Sequence, residues 1–226
     1  MSKHYSFDMW ETLIKGNPEY KTMRMREIHK FVLSHGSVIV GEGDITSAFS
    51  NANSFADLMN LSTGESVSNE ILYRMVLLEL MPKKQFLELK PLDINVLIAK
   101  LDQLFLQYPP SMYSEDTIPV LKELHVRGNH LTILSNTSFV KGRVLNQVLE
   151  MNGVLELFTK TYYSDEHNMS KPNPDFFGLM HMDSPYETDD IVHIGDNPIA
   201  DGEGASNYGI KSLIINSNSK TIKDVL

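Results

Sequence analysis

The sequence contains no cysteine, which removes disulfide bonds, thiolate zinc sites and cysteine nucleophiles in one step. It lacks any apolar run long enough to span a bilayer, and its opening stretch, MSKHYSFDMW, has no signal-peptide core. Basic residues are outnumbered, 20 against 29 acidic ones for a net charge of −9, and nowhere do Lys and Arg build the electrostatic footprint that a phosphate backbone requires. These absences argue against nucleic acid and membrane partners and point to a soluble, cytoplasmic protein. Internal repeats and low-complexity tracts are also missing. What is there is a chain of 226 residues with 42% hydrophobic content, enough for a substantial core. It fits one large domain, or a domain carrying an insertion, better than two equal domains.

Two kinds of pattern follow one another. From about Glu19 to Pro110 apolar residues recur at helical spacing, as in EYKTMRMREIHKFVLSHG, where Tyr20, Met23, Ile28, Phe31 and Val32 share a face. Gly36, Pro82 and the pair Pro109 and Pro110 are natural stops, and Asp44 and Asp93 are expected N-caps. From Asp116 onward the period alternates. VLKELHVRG reads as a helix ended by Gly128, HLTIL as a strand, FVKGRVLNQVLEM as a helix and TKTYY as a strand. Pro174 then opens a helix capped by Asn173, DIVHIGD is a strand, IADGEGASNYG a short helix closed by Gly209, and KSLIIN a last strand. Strands alternating with helices imply a parallel sheet, and HYSF makes a natural first strand. The expected architecture is a doubly wound, Rossmann-like α/β core formed by residues 1–16 and 112–226, with residues 17–111 inserted as a helical cap domain.

Three of the expected strands end in a polar residue: HYSF in Asp8, HLTIL in Ser135, and IVHI through Gly195 in Asp196. Ligands of open parallel sheets bind outside the carboxyl ends of the strands, so these residues should meet in one crevice. Singly, each has an ordinary structural explanation as a cap or turn residue; together, in one order at one sheet edge, they do not. His4 and His193 fall on expected strands as satisfied buried histidines, and Arg24, Arg26 and Arg74 are either solvated surface or contacts to an acidic substrate from the cap.

The ordered set resembles the four motifs of the haloacid dehalogenase-like superfamily. FDMWET is similar to the first, with Asp8 at the nucleophile and Thr12 at the threonine that follows; ILSNTS to the second, with Ser135 and Asn136 at the phosphate-binding positions. YYSDEHNMSKPNPDFF is similar to the third, with Lys171 at the charge-neutralising lysine, and HIGDNPIADGEGASNYGI to the fourth, with Asp196 and Asp201 as the acidic pair. The resemblance implies a small-molecule substrate, such as a phosphorylated metabolite, and Mg²⁺ bound by Asp8, the Trp10 backbone carbonyl, Asp196 and Asp201. Such an ion and Lys171 would offset the repulsion between a carboxylate nucleophile and a phosphoryl dianion.

Trp10 departs from the pattern. The family's phosphatases carry at this position an Asp that protonates the leaving group, and an indole cannot. Its dehalogenases carry an aromatic there, but they work without metal and use an arginine early in the cap; this chain has no arginine between Arg26 and Arg74. Phosphonoacetaldehyde hydrolases use a cap lysine, and none occurs between Lys30 and Lys83. The leading expectation is therefore Mg²⁺-dependent phosphoryl hydrolysis or transfer through an aspartyl phosphate on Asp8. The alternatives are a 2-haloacid dehalogenase-type hydrolase using the same Asp8, and a non-catalytic phosphate-ligand binder in which Trp10 marks lost turnover.

Overall fold

The computed structural model describes residues 2–36 and 40–226. Strand β1 (His4–Phe7) opens the chain, and a two-residue strand β2 (Ile14–Lys15) follows. Five helices come next: α1 (Pro18–Ser34), α2 (Glu42–Thr63), α3 (Asn69–Leu80), α4 (Lys83–Glu88) and α5 (Pro91–Gln107). Strand β3 (Ser111–Met112) then pairs antiparallel with β2. The alternating part runs α6 (Thr117–Val126), β4 (His130–Ser135), α7 (Gly142–Met151), β5 (Lys160–Tyr163), α8 (Ser164–His167), α9 (Pro174–Met182), β6 (Ile191–Gly195), α10 (Gly204–Tyr208) and β7 (Lys211–Ile214).

Strands β5, β4, β1, β6 and β7, in that order, form one parallel sheet. The chain winds outward from β1 to β5, then returns to the other side of β1 for β6 and β7, which puts the switch of direction between β1 and β6. Side chains alternate between two apolar layers. Phe7, Ile133 and Ile194 face the helices α6 and α7, whereas Leu134, Tyr162 and Ile191 face α9, so both sides are covered as a parallel sheet requires. Each fully buried Leu or Phe in these layers is worth about 1.5–3 kcal/mol. The helices α1, α2, α3 and α5 close round a third cluster, in which Ile28, Phe49, Leu72, Val76, Leu97 and Leu101 are buried.

Two expected caps are displaced. Asp44 and Asp93 occupy the third helical position rather than the N-cap, which falls on Gly41 and Lys90, and each carboxylate accepts a hydrogen bond from that residue's backbone N–H at 2.9 Å. An acidic side chain suits either position, because both satisfy free N–H groups at the positive end of the helix. The helix expected from Phe139 starts only at Gly142, since Phe139 turns away to pack on Phe49 and Tyr73. The short ribbon of β2 and β3 carried no sequence signal at two residues per strand. No helix among the described residues is long and apolar enough to cross a membrane.

His4 lies buried in β1, with Nδ1 2.8 Å from Ser184 Oγ and Nε2 2.8 Å from Thr132 Oγ1. Burial, with neighbouring histidines adding to it, lowers its pKa from 6.5 to about 3. The unfolded chain therefore binds a proton that the folded one refuses between those values, and stability falls as pH drops from about 6.5 toward 3. The slope from one such group approaches about 1.4 kcal/mol per pH unit. Urea unfolding at pH steps should show His4→Asn flattening that acid limb; an unchanged slope would assign it to other groups.

Candidate active site

The carboxyl ends of β1 and β6 place Asp8 and Asp196 side by side. The Asp8 N–H donates to the Ile194 carbonyl at 2.8 Å, tying the residue after β1 to the neighbouring strand. Asp201 reaches the same point by a different route. A wide turn over Pro198–Glu203 folds it back over the end of β6: the Asp201 N–H donates to the Asn197 carbonyl and the Asn197 N–H to Asp201 Oδ2, each at 2.9 Å. Only glycine permits this approach at position 195, because a Cβ there would sit 2.1 Å from Asp201 Cγ. One oxygen from each of Asp8, Asp196 and Asp201 lies within 4.8 Å of the other two.

Lys171 is buried between two of these carboxylates, its Nζ donating to Asp8 Oδ1 at 2.8 Å and to Asp201 Oδ1 at 2.6 Å. Burial opposes its charge, but the two carboxylates outweigh burial, and the pKa lies above that of an ordinary lysine. Burial likewise opposes ionisation of Asp201, yet Lys171 and the hydrogen bond from His193 hold it well below the carboxylate range. Asp8 is pushed up by burial, with Lys171 working against the rise and Asp201 adding to it. Asp196 is pushed up to about 7, by burial first and then by Asp8 and Asp201. Asp196 has no ion-pair partner among the described residues, so three carboxylates share one ammonium.

The other expected site residues fall in two groups. Trp10 lines the crevice, and its backbone carbonyl accepts no hydrogen bond in the bridge between Trp10 and Ile14. Asn136 also lines it, but its side chain clamps the Lys171 backbone, accepting from the Lys171 N–H at 2.8 Å and donating to its carbonyl at 2.9 Å. It thus positions Lys171, and the second N–H of its amide has no partner among the described residues. Ser135 is fully buried, with its hydroxyl donating weakly to the Asn136 carbonyl at 3.3 Å. Thr12 is buried as well, and its Oγ1 has no partner among the described residues.

Several residues of the site were not expected from the sequence. His193 donates from Nε2 to Asp201 Oδ1 at 3.0 Å, while its Nδ1 lies 3.0 Å from Ser6 Oγ. Burial, then Lys171, lowers its pKa, and because a carboxylate oxygen only accepts, the nitrogen that faces it carries a proton. Helix α2 supplies Asp57, Asn60 and Leu61 to the opposite wall of the crevice, whose volume is about 440 Å³. Burial raises the Asp57 carboxyl. Helical spacing shows that Asp57, Asn60 and Leu61 share a face, but not what that face meets.

A family model of haloacid dehalogenase-like hydrolases matches residues 51–215. The chain belongs to that family. Solved structures with the same fold include the HAD-hydrolase YfnB from Bacillus subtilis, described as bound to magnesium, at 14% identity and a TM-score of 0.68 over 97% of this chain and 91% of that one. A 2-haloacid dehalogenase from Pseudomonas syringae pv. Tomato is 17% identical, with a TM-score of 0.66 over 98% and 89% of the two chains. A HAD phosphatase from Thermococcus onnurineus is 20% identical, with a TM-score of 0.66 over 99% and 96%. Among curated proteins, no significant sequence match is found. The haloacid dehalogenase-like fold is thus shared with both phosphatases and dehalogenases, and the choice between them rests on this chain's own residues.

Proposed function

We propose that the chain is a Mg²⁺-dependent phosphoryl hydrolase or transferase acting through an aspartyl phosphate on Asp8. The observation that carries this reading is the charge of the crevice floor: three carboxylates converge and one ammonium faces them, with burial and then Asp8 and Asp201 pushing the Asp196 carboxyl up to about 7. A hard dication with oxygen ligands fits that donor set. Asp8, Asp196 and the Trp10 carbonyl would hold it, with Asp201 behind them; once bound, it supplies positive charge to the transferring phosphoryl oxygens. An Asp8 oxygen attacks phosphorus in line while the bond to the leaving oxygen breaks. Lys171 offsets charge beside the nucleophile, and Ser135 with the backbone N–H groups after β4 orients the phosphoryl group. Water then attacks the aspartyl phosphate, releasing phosphate and restoring the Asp8 carboxylate. The helices between β2 and β3 act as the cap that encloses a small phosphorylated metabolite.

Trp10 offers no proton to the leaving group, and positioned acid catalysis is worth about 10² to 10⁴ in rate. Aryl and acyl phosphates should therefore be hydrolysed far faster than alkyl phosphates, and EDTA should abolish both activities. Trp10→Asp should raise alkyl phosphate turnover toward the aryl rate. Equal chemical rates on alkyl and aryl phosphates in the wild type would sink this account and turn attention to Asp57 as the acid. The neutral aromatic at position 10 also favours a second reading, a 2-haloacid dehalogenase-type hydrolase. Full turnover of 2-haloacids in EDTA, with none of any phosphate, would establish that reading instead.

A further inference from the structure

A second cavity, of about 610 Å³, lies beyond Trp10 from the carboxylates, and Trp10 and Ser138 line both. Its walls are the rings of Tyr20, Phe105 and Phe139, and its charged residues are Lys21 and Arg24, with no acidic side chain among them. In a chain of net charge −9, two cations facing an aromatic chamber without a carboxylate run against the overall balance.

Arg24 is the informative residue. Its guanidinium lies 3.9 Å from the Phe49 ring centre, 5.6 Å from that of Tyr20 and 5.7 Å from that of Phe139, so stacking fixes the fork in place. It forms no ion pair among the described residues, and its Nε is buried without an acceptor. Guanidinium has donors only, and a planar oxyanion is the acceptor that its fork matches best. A cation held by stacking, partly desolvated and without a carboxylate partner among the described residues, at the wall of a cavity, is a preformed anion site.

We propose that Arg24, assisted by Lys21, forms a second anion-binding subsite for the far end of the substrate. The substrate is then two-ended: a reacting group at Asp8, a flat or apolar body passing the Trp10 indole into the aromatic chamber, and a carboxylate on Arg24. Trp10 is the wall that the body slides along. The assignment of the reacting end as a phosphoryl group rests on the function proposed above; the subsite itself does not.

Trp10 is the only tryptophan and lines the cavity, so its fluorescence reads binding there without turnover. Benzoate should bind about tenfold or more tighter than benzamide, its uncharged counterpart. Arg24→Gln should erase that ratio and Arg24→Lys should keep part of it, each variant being checked for folding by thermal unfolding; should Arg24→Gln not fold, Lys21→Gln should still reduce the ratio. Equal affinities in the wild type, or an unaltered ratio in folded Arg24→Gln, would overturn the subsite. Phenyl phosphates bearing para carboxylate arms of increasing length, each set against its amide, test the connection to the crevice. At least one carboxylate should gain in kcat/KM over its amide, and Arg24→Gln should lose that gain. Benzoate binding with no carboxylate advantage at any length would overturn the assignment to the substrate. If no aryl phosphate turns over at all, the phosphoryl reading fails, and the fluorescence ratio still decides the subsite.

Discussion

Asp8→Asn should lower turnover by about 10⁴-fold or more, because replacing a nucleophilic oxygen by an amide removes the step on which every later one depends. The fold should survive. Asn is isosteric, Asp201 still pairs with the buried Lys171 Nζ at 2.6 Å, and burial already pushes Asp8 toward its neutral form. Thermal stability at pH 7 should therefore stay near or above the wild-type value, so lost activity cannot be laid to unfolding. Asp8 is also the second cause of the raised Asp196 pKa, after burial, and its neutralisation should bring Asp196 down from about 7. Carboxyl carbon chemical shifts against pH would follow that change. Turnover within tenfold of wild type in a folded Asp8→Asn would move the nucleophile to another carboxylate of the cluster, Asp196 first.

The placement of Asp8, Ser135 and Asp196 was legible in the sequence because buried parallel strands read as short apolar runs whose carboxyl ends are marked by the first polar residue. Lys171 was legible only through its resemblance to a motif; nothing in SKPNP says that its ammonium will be buried between Asp8 and Asp201. His193 shows where strand reading stops. Its register opposite Ser6 explains the hydrogen bond on Nδ1, but the partner on Nε2 arrives through the turn that folds Asp201 over Gly195, which no period reveals. Asn136 stands at a phosphate-binding position only through resemblance to a motif, and no local pattern shows that its side chain also grips the Lys171 backbone through Oδ1 and one N–H. Arg24 could be placed on α1 but not explained there: its setting comes from Phe49 on α2 and Phe139 on the loop after β4. In each case local pattern fixes which residues share an edge or a face, and packing between distant elements decides what that face meets.

Lys171→Met should be the most damaging change to stability. Its Nζ is buried against Asp8 and Asp201, and removing the cation leaves two buried carboxylates without their shared counter-charge, a loss of about 3–5 kcal/mol. The pH dependence gives the cause away. Without the ammonium the Asp8 carboxyl, already pushed up by burial, rises further, so the folded variant holds a proton that the unfolded chain releases, and its stability falls as pH rises through the unfolded carboxylate range and beyond. The wild-type acid limb set by His4 runs the other way. Urea unfolding at pH 5 and pH 8 should therefore find the gap between variant and wild type wider at pH 8. Mg²⁺ should narrow it, since a dication among the three carboxylates takes over part of the work of the lost ammonium. Turnover should fall by about 10² to 10³ even where the variant is folded, because a charge aimed at the reacting centre is missing. A variant as stable as wild type at pH 8 in EDTA would show that the carboxylates need no cation, and would remove the ground for placing a metal among them.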